Sequence, residues 1–242
     1  MPKMNTMKLD ILAFGTHPDD IELGCGGMLI SEIGKGHRVG LVDLTYGELG
    51  SRGTVEIRKE EAQRAAHIMG AVMRINLGMP DGRFEINDLN RAAIVDLIRK
   101  HQPEIVLANA PYDRHPDHGR ASLLVEESAF LAGLLKWQHE GIESTPWRPK
   151  AVYKYMQFVH FKPDFVYDIS HTVHQKMEAI RAHASQFWNP DSEEPATLIA
   201  SREFFNSITA RSAEFGLQCG FEHGEPFQVI RTPGVKDIFD LS

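Results

Sequence analysis

The chain has 242 residues, of which 42% are hydrophobic and 24% are charged. This is enough apolar sequence for a substantial core, and we expect residues 1–242 to form one domain. The formal net charge of -7 argues against a general nucleic-acid surface or an anionic membrane surface, because both require a basic face. An anionic substrate would therefore depend on local arginines.

Targeting signals and cysteine usage suggest a compartment. Residues 1–7 lack the apolar region of a signal peptide, and no segment approaches the roughly 20 apolar residues of a membrane span. The two cysteines, Cys25 and Cys219, are too few for a disulfide framework and are expected to be buried thiols, although one bridge is open to them. We therefore expect a cytoplasmic protein.

Strand and helix patterns alternate through the first half of the chain. Short apolar runs predict strands, and apolar positions at helical spacing predict helices. The predicted order is strand 9–14, helix 27–34, strand 39–44, glycine-rich loop 45–54, helix 55–69, strand 73–77, helix 88–100, strand 105–108 and helix 119–135. Thr54 is a candidate N-cap for the helix 55–69.

The second half of the chain is less regular. Its predicted order is strand 151–159, strand 165–169, helix 173–183, helix 197–215, loop 220–227 and strand 228–231. The alternation in the first half predicts an α/β layer fold with a mainly parallel sheet. In such sheets ligands bind beyond the carboxyl ends of the strands, at a switch in strand order.

Two polar clusters each follow a predicted buried strand. Residues 16–20 read Thr-His-Pro-Asp-Asp and residues 115–118 read His-Pro-Asp-His, so both clusters should lie at the carboxyl edge of the sheet. We predict that they meet there and hold one divalent metal through His17, Asp20 and His118. Two histidines and one carboxylate, with a position left open for water, suit catalytic zinc, and iron(II) also accepts them.

The remaining side chains of the two clusters suit catalysis. Asp19 would stand free beside the metal, where a carboxylate can take a proton from water. His115, backed by Asp117, is suited to stabilising a developing oxyanion or to donating a proton. Taken singly, each cluster could instead be a turn, a helix cap or a polar loop. The metal interpretation depends on the two occurring together.

A nucleotide-binding oxidoreductase is an alternative from another class of protein. Residues 24–27, Gly-Cys-Gly-Gly, resemble part of a dinucleotide fingerprint, with Asp43 as a candidate ribose ligand. The third glycine is missing, because Leu29 occupies its place. Asp43 is equally well explained as a polar residue within a buried strand.

Six segments together resemble the LmbE-like (PIG-L) family of zinc-dependent N-acetylglucosamine deacetylases. They are residues 16–20, 24–27, 45–48, 58–62, 115–118 and 183–186. The resemblance extends over nearly the whole chain and is greatest to the branch that deacetylates N-acetylglucosaminyl malate in bacillithiol biosynthesis. It implies a Rossmann-like three-layer fold and a homo-oligomer, often a hexamer.

The resemblance also implies roles for individual residues. It implies zinc ligands at His17, Asp20 and His118, a general base at Asp19, an oxyanion-stabilising histidine at His115, an orienting partner at Asp117 and substrate binding by Arg58. Arg58 could instead form a helix-surface ion pair with Glu61. Some relatives place a tyrosine over the metal, and Tyr112 is a candidate for that role.

Several functional alternatives remain open at the level of sequence. A simpler N-acetylglucosamine sugar or a chito-oligosaccharide could be the substrate, because the motifs specify amide chemistry better than they specify the aglycone. A non-catalytic metal or sugar binder would share the same ligands. The roles of His183 and Gln186 are not determined by the pattern.

Overall fold

The computed structural model describes residues 7–142 and 144–241. The segment considered for a signal peptide falls mostly on residues 1–6, which lie outside the described residues. In chain order the elements are β1 (Ile11–Gly15), α1 (Asp20–Gly34), β2 (Val39–Thr45), α2 (Val55–Met69), β3 (Met73–Met79), α3 (Asp88–His101), β4 (Ile105–Ala108), α4 (Pro116–Ala132), β5 (Ala151–Tyr155), β6 (Phe165–Asp168), α5 (Val173–Arg181), α6 (Arg202–Gln218), β7 (Gly224–Val229) and a final 3-10 helix (Ile238–Leu241).

The strands form one seven-stranded sheet in the order β3-β2-β1-β4-β5-β7-β6. Strands β1 to β5 pair in parallel, while β7 pairs antiparallel with both β5 and β6. The predicted α/β fold with a mainly parallel sheet is therefore confirmed. The chain builds outward from β1 in one direction to β3, and then returns to place β4 on the other side of β1. This switch in strand order puts the ends of β1 and β4 side by side.

Helices cover both faces of the sheet, as a three-layer fold requires. Along β1, Leu12 and Phe14 face the core that contains residues of α3 and α4. Ile11 and Ala13 face the opposite core, which contains residues of α1, α2 and α5. Because side chains alternate along a strand, a sheet covered on both faces needs apolar residues at every position. This explains the uninterrupted apolar run in the sequence.

Helix α1 begins at Asp20, seven residues before the predicted start at residue 27. The helix is kinked at Cys25, where φ is -144° and ψ is 15°. The segment after the kink is capped by a residue of β7, because the Glu225 carboxylate accepts hydrogen bonds from the backbone N–H groups of Gly27 (2.9 Å) and Met28 (2.8 Å). The glycine run that resembles a dinucleotide fingerprint is thus a packed part of the helix.

The end of the chain also differs from the prediction. The sequence predicts a loop at residues 220–227, but β7 occupies Gly224–Val229 between β5 and β6. This strand is hard to predict from sequence because it contains the buried Glu225 and a proline at 226, and neither residue type is typical of a sheet interior. Strand β5 ends at Tyr155, four residues before its predicted end.

The exposure of the two cysteines and of the apolar stretch 129–137 agrees only in part with what the sequence predicts. Cys25 is a buried free thiol as expected, whereas Cys219 is exposed. Within the apolar stretch 129–137, Ala129 is buried while Phe130 and Leu135 are exposed. Oligomeric state stays a prediction. No helix in the described part of the chain is long and apolar enough to cross a membrane.

Two glycines of α1 provide a matched test of the packing. A Cβ atom at Gly24 would lie 2.1 Å from Cδ2 of the fully buried Tyr155, whereas a Cβ atom at Gly34 would meet nothing within 4 Å. Gly24→Ala should therefore lower the free energy of unfolding by about 1–3 kcal/mol. Gly34→Ala should be neutral or stabilise by up to about 1 kcal/mol. Urea unfolding of both variants measures this, and equal midpoints would contradict the packing.

Candidate active site

The two polar clusters meet at the carboxyl ends of β1 and β4. The ring centroid of His17 lies 4.7 Å from that of His115 and 5.5 Å from that of His118. His115 and His118 stack with their centroids 5.2 Å apart. Ring nitrogens of the three histidines lie within 4.8 Å of one another. The structure thus brings together side chains about a hundred residues apart in the sequence.

The Asp20 carboxylate joins the loops that follow three strands. Its Oδ2 accepts hydrogen bonds from the backbone N–H groups of Thr16 (3.0 Å) and His17 (2.9 Å), after β1. The same oxygen accepts from the Asn109 amide (3.1 Å) after β4, and Oδ1 accepts from the Gln157 amide (2.9 Å) after β5. Asp20 is therefore held in position by four donors from three parts of the sheet edge.

Each of the two expected histidine ligands has a carboxylate on either side of its ring. His17 contacts Asp81 through Nε2 (3.0 Å) and faces Asp20 through Nδ1 (3.6 Å). His118 contacts Asp113 through Nδ1 (2.7 Å) and faces Asp20 through Nε2 (3.3 Å). A carboxylate on the outer nitrogen is the usual way in which a protein orients a metal-binding histidine. Nδ1 of His17 and Nε2 of His118 are the nitrogens directed at Asp20.

Carboxylates dominate the charge of this cluster. Burial alone would lower the pKa of His17, but Asp20 and Asp81 outweigh it and raise that pKa to about 10. Burial likewise opposes the charged form of His118, yet Asp20 and Asp113 raise its pKa to about 9. Burial would raise the pKa of Asp20, but the two flanking histidines hold it well below its usual value. The cluster is an acidic environment that favours bound positive charge.

His115 differs from the other two histidines. Its Nδ1 accepts a hydrogen bond from the backbone N–H of Asp117 (3.3 Å), so the proton of the neutral ring resides on Nε2. Burial and the neighbouring histidines lower its pKa, which keeps the ring neutral. The expected orienting contact comes from the backbone of Asp117. The Asp117 carboxylate does not contact the His115 ring. It accepts hydrogen bonds from the backbone N–H of Gly82 (2.7 Å) and from the Arg120 guanidinium.

Asp19 occupies a strained position beside these rings. Its φ of 138° is unusual for a residue with a side chain, and such conformations are concentrated at functional sites. The carboxylate makes no helix-capping hydrogen bond, although Asp19 is the N-cap residue of α1. Burial raises the pKa of Asp19 to about 6, and Arg58, 3.7 Å away, partly opposes that rise. Asp19 is therefore a buried carboxylate able to exchange a proton near neutral pH.

Arg58 is buried rather than on the surface of α2. Its guanidinium donates hydrogen bonds to the carbonyl oxygens of Gly47 (2.8 Å) and Pro18 (3.3 Å) and lies beside Asp19. The alternative of a surface pair with Glu61 is wrong, because the Glu61 carboxylate accepts hydrogen bonds from Ser185 instead. Arg58 supports the loop that carries Asp19 and also lines the adjoining cavity.

A cavity of about 240 Å³ opens over the cluster. Its wall carries three arginines and several apolar side chains, among them Arg58, Arg114, Arg211, Leu49, Phe158 and Phe204. Within residues 7–142 and 144–241, no tyrosine lines it. Tyr112 is exposed, and its hydroxyl donates to the carbonyl of His160 (3.4 Å). The cavity therefore presents arginine and apolar side chains to a ligand, next to the carboxylates of Asp19, Asp20, Asp81 and Asp113.

Several residues of the site were missed at the level of sequence. Asp81 follows β3, and Asp113 precedes His118 by five residues. Both could have been found from the sequence, since each acidic residue follows the carboxyl end of a strand in the same parallel sheet. Asn109 and Gln157 carried no comparable signal, because amides are common in loops.

The glycine run and Asp43 do not form a nucleotide site. Gly24 and Gly27 lie inside α1, where missing Cβ atoms admit the side chains of Tyr155 and Ile169. The Asp43 carboxylate accepts two hydrogen bonds of 2.8 Å from Arg74. These residues serve packing and charge pairing, which removes the structural basis of the dinucleotide alternative.

A buried ionic network lies behind the site. Arg74 pairs with Asp43 and Glu22, and the three side chains are at most 3% exposed. His183 is fully buried and its Nε2 lies 3.1 Å from Glu22. His183 therefore does not line the cavity; it belongs to this network. Glu22 is in the first turn of α1, close in sequence to Asp19 and Asp20. The network therefore holds in place the start of the helix that carries these two residues.

The chain is similar to several known proteins. The profile of the family described as PIG-L, GlcNAc-PI de-N-acetylase, matches residues 12–129. Diacetylchitobiose deacetylase from Thermococcus kodakarensis is 34% identical over 189 residues, which cover 73% of this chain and 70% of that protein. A probable N-acetyl-alpha-D-glucosaminyl L-malate deacetylase 2 from Bacillus cereus is 28% identical over 74% of this chain and 84% of its own length.

A solved structure extends the similarity to the whole fold. The crystal structure of the conserved protein TT1542 from Thermus thermophilus superimposes with a TM-score of 0.84 at 35% identity. The match covers 94% of this chain and 97% of that one. The similarity therefore extends well beyond the 12–129 segment, into the second half of the chain.

Removing Arg74 tests the ionic network. Arg74→Met leaves two buried carboxylates without their cation and should lower the free energy of unfolding by about 3–5 kcal/mol. Arg64→Met removes a solvent-exposed pair with Glu60 and should leave that free energy nearly unchanged. Denaturant unfolding of the two variants makes the comparison. A similar small effect for both would show that the buried pairs do not support the fold.

Proposed function

Because this chain belongs to the PIG-L family of de-N-acetylases, we propose that it is a metal-dependent hydrolase that removes the acetyl group from an N-acetylglucosaminyl substrate. The observation that carries this proposal is the convergence of His17, Asp20 and His118 at the cavity. The Asp19 carboxylate lies beside them and makes no helix-capping hydrogen bond. Such a set of residues provides ligands for a metal and a carboxylate that can take a proton from the attacking water.

We assign the metal to His17, Asp20 and His118. The donor chemistry fits zinc, and it also fits iron(II). Asp81 contacts Nε2 of His17, and Asp113 contacts Nδ1 of His118. These carboxylates would hold the two rings in place. We leave His115 out of the proposed ligand set, although its ring nitrogen lies within 4.8 Å of those of His17 and His118. The hydrogen bond that its Nδ1 accepts favours a proton on Nε2, which can then donate to a substrate.

The chain's own residues then have distinct tasks in amide hydrolysis. When bound, a divalent metal lowers the pKa of water and polarises the amide carbonyl. Asp19 takes the proton of the attacking water and returns it to the amine nitrogen as the C–N bond breaks. The Nε2–H of His115 donates to the carbonyl oxygen as negative charge develops there. Asp117 acts on this ring through its backbone N–H.

The favoured substrate is N-acetyl-alpha-D-glucosaminyl L-malate, which would place the chain in bacillithiol biosynthesis. Support comes from Arg58, Arg114 and Arg211, which line the cavity and suit a carboxylate-bearing aglycone. Diacetylchitobiose is the second candidate. The relative named for that sugar is more similar than the one named for the malate glycoside, and the exposed ring of Phe158 could stack on a second sugar.

Acetate release from defined substrates tests the proposal directly. The metal-reconstituted protein should release acetate from N-acetylglucosaminyl malate faster than from diacetylchitobiose or free N-acetylglucosamine, and a chelated sample should release none. Preference for diacetylchitobiose would keep the hydrolase and discard the malate assignment. Binding without acetate release from any of the three would instead support a non-catalytic binder.

Two variants separate the metal site from the base. Asp19→Asn should keep its metal content and lower kcat by at least about 100-fold, because the general base is lost. His118→Ala should lose metal content together with turnover. His171→Ala, at an exposed histidine elsewhere on the chain, is the control and should change neither quantity. Metal analysis and acetate assays report both, and normal turnover by Asp19→Asn would remove the base assignment.

A further inference from the structure

The Gln186 side chain is fixed in one orientation at the cavity wall. Its amide nitrogen donates hydrogen bonds to the carbonyl oxygen of Arg52 (2.8 Å) and to Oγ of Ser185 (2.9 Å). A backbone carbonyl can only accept, so the nitrogen of the amide, and not its oxygen, must face Arg52. Because both amide protons are used in this way, the carbonyl oxygen is directed away from these partners.

The residues that hold Gln186 are themselves held. The backbone N–H and the hydroxyl of Ser185 each donate to the Glu61 carboxylate at 2.7 Å. Nε of Arg52 donates to the carbonyl oxygen of Ser185 at 2.7 Å. Glu61 lies one turn after Arg58 on α2, so the support belongs to the same helix that carries a cavity arginine. Such support favours a preorganised binding group over a flexible polar side chain.

The carbonyl oxygen of Gln186 has no hydrogen-bond donor among the residues that the structure describes. Gln186 is only 5% exposed, yet it lines the cavity together with Asp19 and Arg58. The oxygen is unpaired but not fully enclosed, and the open space that Gln186 borders is the cavity. An acceptor presented in this way matches a donor on the ligand, and the donors of a pyranose are its hydroxyl groups.

We propose that the side-chain carbonyl of Gln186 accepts a hydrogen bond from one ring hydroxyl of the sugar and so selects substrates that carry this hydroxyl. This inference rests on the proposed deacetylase function. Gln186 is thus a specificity-determining residue that binds the sugar, while Asp19 and His115 act on its acetamide.

Substrate analogues and variants test the pairing between Gln186 and a hydroxyl. Acetate release is measured for methyl N-acetylglucosaminide and for its 3-deoxy, 4-deoxy and 6-deoxy analogues. With the unmodified chain, one analogue should lose about ten-fold in kcat/KM, as expected for one neutral hydrogen bond. In Gln186→Met the parent sugar should lose a similar factor, and that analogue should show no further loss.

Ser185→Ala is the matched control. It removes one partner of the Gln186 amide but leaves the carbonyl in place, so it should lower kcat/KM for all four sugars equally and keep the deoxy penalty. Thermal unfolding of both variants shows whether they fold. If Gln186→Met does not fold, the unmodified chain still decides, since less than a three-fold loss for every deoxy analogue would overturn the inference.

The possible failures can be told apart. Equal deoxy penalties in the unmodified chain and in Gln186→Met would overturn the pairing and leave the deacetylase function intact. No acetate from the parent sugar, from diacetylchitobiose or from the malate glycoside would overturn the proposed function, and this inference with it.

Discussion

The carboxylate of Asp20 is the point on which the rest of the site depends. Backbone N–H groups after β1 and amides after β4 and β5 all donate to it, and the rings of His17 and His118 lie against it. A single side chain thereby fixes the relative positions of three loops. The switch in strand order supplies the opportunity, because it sets the carboxyl ends of β1 and β4 next to each other.

The contacts that hold α1 in place also determine the position and the pKa of Asp19. The kink of α1 is stabilised by Glu225, which forms an ion pair with Lys176 (2.6 Å). The first turn of the helix is held by the ion pair between Glu22 and Arg74. Held from both sides, the chain can keep Asp19 in a strained conformation and out of water, where its pKa rises to about 6. Stability elsewhere in the fold therefore supports the strained and buried position of Asp19.

Much of the fold could be predicted from sequence, because strands covered on both faces give continuous apolar runs and α2 has a clear period with Thr54 as its N-cap. The start of α1 and strand β7 could not, since a glycine run and a buried glutamate before a proline have their reasons only in tertiary contacts. The same limit applies to the site. The two histidine clusters were visible, whereas the contacts of Asp117 depend on which donors the fold brings near.

In the proposed metal site, Asp20 and not His115 is the third protein ligand beside His17 and His118. X-ray absorption at the metal edge tests it most directly, on the metal-loaded protein and on His115→Ala. We expect two imidazole ligands with oxygen donors in both samples, because a proton on Nε2 of His115 leaves that nitrogen no lone pair for the metal. Three imidazoles in the unmodified protein, falling to two in His115→Ala, would contradict the assignment of both residues.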